Sequence, residues 1–226
     1  MDRITLTSAG IELAADFYPG TKNLAFVVTH GWGSSRPVDI PAALAGAGFP
    51  ALAHDLRGHG ESGGVLGEAS RADWVADVVA VIDELRGRVP GARIGLVGAS
   101  FGAYLSLVAA GEREVAALSL RVPANYVDAG FDVPHEPRFR AGVRRPADLY
   151  PADSRALRVL RAFGGPVQLV DADGDTVIPR ETIAGYRDAV DPARLSRYTL
   201  SGPHHLATPE LRGEYIAALL AWADTL

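Results

Sequence analysis

Gly95-Leu96-Val97-Gly98-Ala99-Ser100-Phe101-Gly102-Ala103-Tyr104 is an apolar run that turns through a serine set between glycines, with the spacing G-x-S-x-G. Arg93 to Val97 reads as a buried strand ending at Gly98, and a helix is expected to begin near Ser100, so the serine falls on a sharp strand-to-helix turn. Gly98 and Gly102 carry no Cβ, which lets neighbouring backbone pass close to that serine. A turn of this kind strains its central residue and exposes the hydroxyl. It also aims the Phe101 amide and the positive end of the new helix at whatever the serine attacks, which suits a developing oxyanion. The bland reading of Ser100 is a helix N-cap.

On either side of this stretch, strands alternate with helices. Ile4 to Thr7 and Ile11 to Tyr18 predict an N-terminal hairpin on a sheet edge. Leu24 to Thr29 is almost continuously apolar, as a strand covered on both faces requires, and Pro50 to His54 is another buried strand. Ser70 and Asp73 mark a helix start, and the apolar stripe from Trp74 to Leu85 carries that helix towards Pro90. Beyond the serine helix come strands at Val115 to Val122, Val167 to Val170 and Ser196 to Leu200, with helices at Glu181 to Val190 and Pro209 to Ala223. This alternation implies a mostly parallel sheet with helices on both faces. It lapses from Pro123 to Gly165, a segment with several prolines, the aromatics Tyr126, Phe131, Phe139 and Tyr150, and the basic cluster Arg138, Arg140, Arg144 and Arg145.

Bulk properties narrow the function classes. No linker-like or low-complexity stretch divides the 226 residues, so a single domain over 1–226 is expected. A net charge of -5 gives no polyanion-binding signature, which argues against nucleic acid as a partner. The absence of cysteine excludes disulfides, thiolate metal sites and a cysteine nucleophile. No apolar run approaches the ~20 residues of a membrane helix, and Met1-Asp2-Arg3-Ile4 lacks the basic and apolar regions of a signal peptide, so a cytoplasmic protein without membrane contact is the expectation. Oligomeric state is left open.

The polar and glycine-rich loops each follow the carboxyl end of a predicted strand, and in an open parallel sheet those ends share one crevice. A serine that attacks an acyl carbon needs a base, and the base needs an orienting acid. In chain order the loops supply Ser100, then Asp171, Asp173 and Asp175, then His204 and His205. That order, with His30-Gly31-Trp32-Gly33 and Asp55-Leu56-Arg57-Gly58-His59-Gly60-Glu61-Ser62 upstream, resembles the α/β-hydrolase family along nearly the whole chain.

The resemblance implies an α/β-hydrolase fold, with residues 123–165 as a short lid-like insertion. It implies Ser100 as nucleophile, Asp175 as the acid by its spacing to Pro179, and His205 as the base by its spacing to Gly202, with His204 as the competitor. The backbone amides of Trp32 and Phe101 become the expected oxyanion donors. His30 and His59 read as hydrogen-bonding struts of their glycine loops, and His54 as a packed core residue. The Asp171–Asp175 loop lacks the glycine and glutamate positions of an EF-hand, and Gly58 to Gly63 opens no helix of the dinucleotide-binding kind, so neither metal nor organic cofactor is expected. Tyr126, Phe131 and Phe139 are candidates for the wall of an acyl pocket. The activity implied is carboxylic ester hydrolysis on a small-molecule acyl substrate. Thioester cleavage or acyl transfer is the alternative, and a non-catalytic ligand-binding protein is the reading from another class.

Overall fold

The computed structural model describes residues 1–134 and 153–226. Its strands are β1 (Asp2–Ser8), β2 (Ile11–Tyr18), β3 (Leu24–Thr29), β4 (Ala51–His54), β5 (Arg93–Ala99), β6 (Ala117–Arg121), β7 (Val167–Ala172) and β8 (Leu195–Leu200). They form one sheet in the order β1-β2-β4-β3-β5-β6-β7-β8. β1 pairs antiparallel with β2 and β2 with β4, whereas every pairing from β4 to β8 is parallel. The expected hairpin is therefore the antiparallel edge of an otherwise parallel sheet.

Helices α1 (Asp39–Gly46), α2 (Arg71–Arg88), α3 (Phe101–Ala109), α4 (Arg155–Ala162), α5 (Arg180–Asp188) and α6 (Pro209–Ala223) cover the two faces. The pleat sorts side chains between them. Ala25 and Val27 of β3 point into the core under α2 and α3, while Leu24, Phe26 and Val28 pack with Leu44 of α1 and with Tyr215, Leu219 and Trp222 of α6. With all six residues of β3 buried, its unbroken apolar run is explained. Gly95 is required by the same packing, because a Cβ there would lie 2.5 Å from the Phe26 ring.

The start of α2 is a complete capping box. Asp73 N donates to Ser70 Oγ, and Ser70 N donates to the Asp73 carboxylate at 2.9 Å, so two otherwise orphaned amides are satisfied. One helix, α4, falls where the sequence pattern lapses. Ser154 caps it through Leu157 N, and Ala156, Leu157 and Leu160 form its buried face. Asp128 accepts from Arg155 N, and Ser154 Oγ donates to Asn125, so this helix is tied to the chain leaving β6. Phe139 and the cluster Arg138, Arg140, Arg144 and Arg145 lie outside the described residues. No described helix is long and apolar enough to cross a membrane.

Candidate active site

The loops after β3, β4, β5, β6, β7 and β8 lie along the carboxyl edge of the parallel strands, with the β5 loop near the middle. Ser100 stands there with φ 53° and ψ −115°, a region that non-glycine residues rarely occupy. It precedes α3 in the N-cap position, yet its side chain makes no cap hydrogen bond. The capping reading of the serine thus fails on geometry. The turn is held by the main chain: Ser100 N donates to Arg121 O at 2.9 Å, and Ala103 N, Tyr104 N and Ala124 N all donate to Ser100 O.

Both flanking glycines are spatially required. A Cβ on Gly98 would sit 2.5 Å from Ala103 Cα, and one on Gly102 would collide with the His30 carbonyl and lie 2.5 Å from Thr29 O. The second contact matters because β3 and its following loop can approach the serine turn only over a bare Cα. Gly31 lies close as well, its ideal Cβ position being 3.5 Å from Ser100 Cβ.

The loop His30-Gly31-Trp32-Gly33 is braced by two buried histidines. His30 Nδ1 donates to Gly31 O at 2.7 Å, and its Nε2 accepts from Leu56 N at 3.0 Å. His59 Nδ1 donates to Arg57 O, and its Nε2 accepts from Gly33 N at 3.2 Å. Each ring is a neutral tautomer with both nitrogens in use. Burial holds His30 down to about 4 and lowers His59 as well, and His54, wholly buried against the Thr29 hydroxyl, is pushed down to about 3. The Trp32 ring packs edge-to-face on Trp74, Phe101 and His59, with centroids 5.2–5.5 Å apart. Its side chain therefore contributes to the site's frame.

The β4 loop supplies the base on which this bracing rests. Asp55 accepts from Arg36 N at 2.6 Å, from the Arg36 guanidinium and from Glu61 N. Gly60 has φ 52° and passes so close to the Asp55 carboxylate that no side chain fits. Ser62 Oγ donates to Asp55 O and accepts from Ala14 N, tying the loop to β2. Arg57 makes a two-pronged contact with the buried Asp77 of α2, and Arg36 also reaches Asp16.

On the other side of the serine, the three aspartates after β7 divide their work. Asp171 lies 3.8 Å from Arg197, and Asp173 accepts from Ser201 Oγ and Gly202 N, joining the β7 and β8 loops. Asp175 accepts Val177 N and Ile178 N on one oxygen and meets His204 Nδ1 at 2.8 Å with the other. The imidazole that Asp175 holds is therefore that of His204, and the expectation of His205 from loop register is corrected. Gly202 is fixed to Asp173, and the His204 carbonyl is fixed to Arg121 Nη1 at 2.7 Å, so the intervening turn directs residue 204 inward. His204 is 4% exposed, whereas His205 is exposed and touches it only ring edge to ring face. Burial lowers His204 below the usual imidazole value, with Asp175 opposing that shift and Arg121 and His205 adding to it.

Among the other expected residues, Tyr126 is half-buried, with its ring 5.8 Å from that of Phe101. Phe131 is inside the core, its ring stacked against Arg155 at 4.0 Å and near Arg71. That ring is packed between the core and the two guanidinium groups.

Residues 21–131 match the family model described as serine aminopeptidase, S33. An esterase of Pyrococcus furiosus superposes with a TM-score of 0.76 at 20% identity, covering 99% of this chain and 90% of that one. Est1E of Butyrivibrio proteoclasticus, solved with ferulic acid bound, superposes at 0.74 with 18% identity, covering 99% and 100%. The chain has the α/β-hydrolase fold. An uncharacterized protein of Mycobacterium tuberculosis is 30% identical over 185 residues, which is 79% of this chain and 63% of the relative. This chain thus spans less than two thirds of that relative's length.

Two features of this site had a weak signal in sequence. The Asp175 partner could have been sought by asking which histidine follows a proline that turns the chain, since Pro203 immediately precedes His204. Arg121, a lone charged residue at the end of a wholly buried strand, was a marked departure from the pattern of β6.

Proposed function

We propose that the protein is a serine hydrolase that cleaves a carboxylic ester of a small acyl substrate through an acyl-enzyme. The observation that carries this reading is the 2.8 Å pairing of Asp175 with His204, on loops that the sheet order brings to the same edge as Ser100. Ser100 Oγ attacks the acyl carbon and its proton passes to His204 Nε2, because Asp175 accepts the Nδ1 proton and so selects the tautomer with Nε2 as acceptor. The tetrahedral oxyanion is received by the backbone amides of Trp32 and Phe101, aided by the start of α3. Collapse breaks the ester bond, and His204 returns its proton to the departing alkoxide. Water, deprotonated by His204, then attacks the acyl-enzyme and frees Ser100 with release of the acid.

The depressed basicity of His204 supports this role, since a base that is neutral at neutral pH is ready to take a proton. So does the strain at Ser100, which serves no capping bond. The test is labelling with a fluorophosphonate, read by intact mass. The native protein should gain one adduct and Ser100→Ala none; equal labelling of both would remove Ser100 from the mechanism. A parallel panel of p-nitrophenyl esters and acyl thioesters decides the leaving group, and preference for thioesters would replace the ester assignment.

A further inference from the structure

We propose that Arg121 is a positioning residue for this site: its carbonyl holds the Ser100 amide while its guanidinium holds the His204 carbonyl, so one residue keeps the serine turn and the histidine loop in register and sets a cation beside the imidazole. The inference rests on the hydrolase reading above, because it concerns how that site is tuned.

Arg121 is the last residue of β6 and lies opposite Ala99 in the parallel register, one residue from the serine. Its backbone O accepts Ser100 N at 2.9 Å and its Nη1 donates to His204 O at 2.7 Å. The next residue, Val122, has φ 41°, a costly conformation for a β-branched side chain, and from there the chain turns so that Ala124 N reaches Ser100 O. Strain on two adjacent strands thus converges on the contact Arg121 makes.

A neutral donor would suffice to hold a carbonyl, yet the group here is a guanidinium only 8% exposed. Its Nε has no hydrogen-bond partner among the described residues, and its Cζ lies 5.6 Å from the Tyr215 ring centroid. Burying a cation so thinly compensated costs stability, and burial lowers its pKa accordingly. The charged and titratable groups that face His204 are Asp175 from the β7 loop, Arg121 from β6 and its neighbour His205, with Tyr215 of α6 packed beneath Arg121. Burial is the largest cause that lowers the His204 pKa, Asp175 favours the imidazolium and Arg121 opposes it, so the arginine adds to burial in keeping the ring neutral beside its own acid.

The experiment titrates the His204 ring by NMR in the Ser100→Ala background, with Arg121 native, R121K or R121Q. Removing the cation in R121Q should raise the His204 pKa by roughly half a unit or more, while R121K leaves it near the native value. An unchanged pKa in R121Q overturns the electrostatic part. In the Ser100-containing protein, R121K replaces the Nη1 donor with an ammonium on a shorter side chain, which displaces the His204 carbonyl, and it should lower kcat about tenfold with KM nearly constant. Native kcat in R121K overturns the positioning part, and this arm stands if R121Q does not fold. The titration needs no turnover, so an inactive native protein would count against the hydrolase reading without obscuring the His204 shift.

Discussion

His30 and His59, on the β4 side of Ser100, differ from His204, on the β7 side, in how their ring nitrogens are spent. In the first pair both nitrogens of each ring bond to backbone, and the rings brace the loop at residues 30–33. In His204 the bond to Asp175 takes Nδ1, and Nε2 is the ring's remaining acceptor. All three are buried, and burial depresses the basicity of all three. Burial and a shifted pKa therefore do not mark the reactive histidine. What distinguishes it is a carboxylate partner that fixes one nitrogen and leaves the other for chemistry.

The comparison also separates a rigid half of the site from a lightly tied one. The rigid half is most exposed to damage at Gly102, where any side chain meets the His30 carbonyl. Gly102→Ala should lower stability by at least about 3 kcal/mol and abolish labelling of Ser100, measured by urea denaturation and fluorophosphonate uptake. A native-like midpoint would mean that the β3 loop does not need that close approach.

Acid should act next on the same half. His30 is held at about 4 in the folded protein, below the unfolded value of about 6.5, so its contribution is complete above pH 6.5 and is lost as pH falls towards 4. The loss from His30 alone is about 3 kcal/mol, and His54 titrates in the same direction. Denaturation series from pH 7 to pH 4 should show this decline, and His30→Gln should flatten it. A stability independent of pH over that window would refute the neutral-strut assignment.

The smallest of these effects belongs to His59. His59→Phe keeps the ring against Trp32 but removes the acceptor for Gly33 N, and kcat should fall about tenfold with little change in KM. His59→Gln, which can still accept, should recover most of the loss.

Much of this division was legible in sequence because it rests on periodicity and on glycines. The unbroken apolar runs of β3 and β5 fixed a sheet covered on both faces, and the G-x-S-x-G spacing located the strained turn. Helix α4 was missed because its eight residues carry three arginines and only a short buried face behind Ser154. The histidine that Asp175 holds was harder to read for a different reason: residues 204 and 205 are adjacent, one buried and one exposed, and the contacts that turn the loop come from Asp173 and Arg121, distant in sequence. Local spacing carries no information about such anchors. Arg121 was passed over because a buried strand explained its neighbours.

The most direct test of the account is the acylation rate of Ser100 in His204→Ala and His205→Ala, measured side by side with a fluorophosphonate or a p-nitrophenyl ester. The account predicts a loss of about 10³-fold or more for His204→Ala and less than about threefold for His205→Ala. A larger loss in His205→Ala would contradict the pairing of Asp175 with His204 as the working arrangement, and with it the mechanism built on that pair.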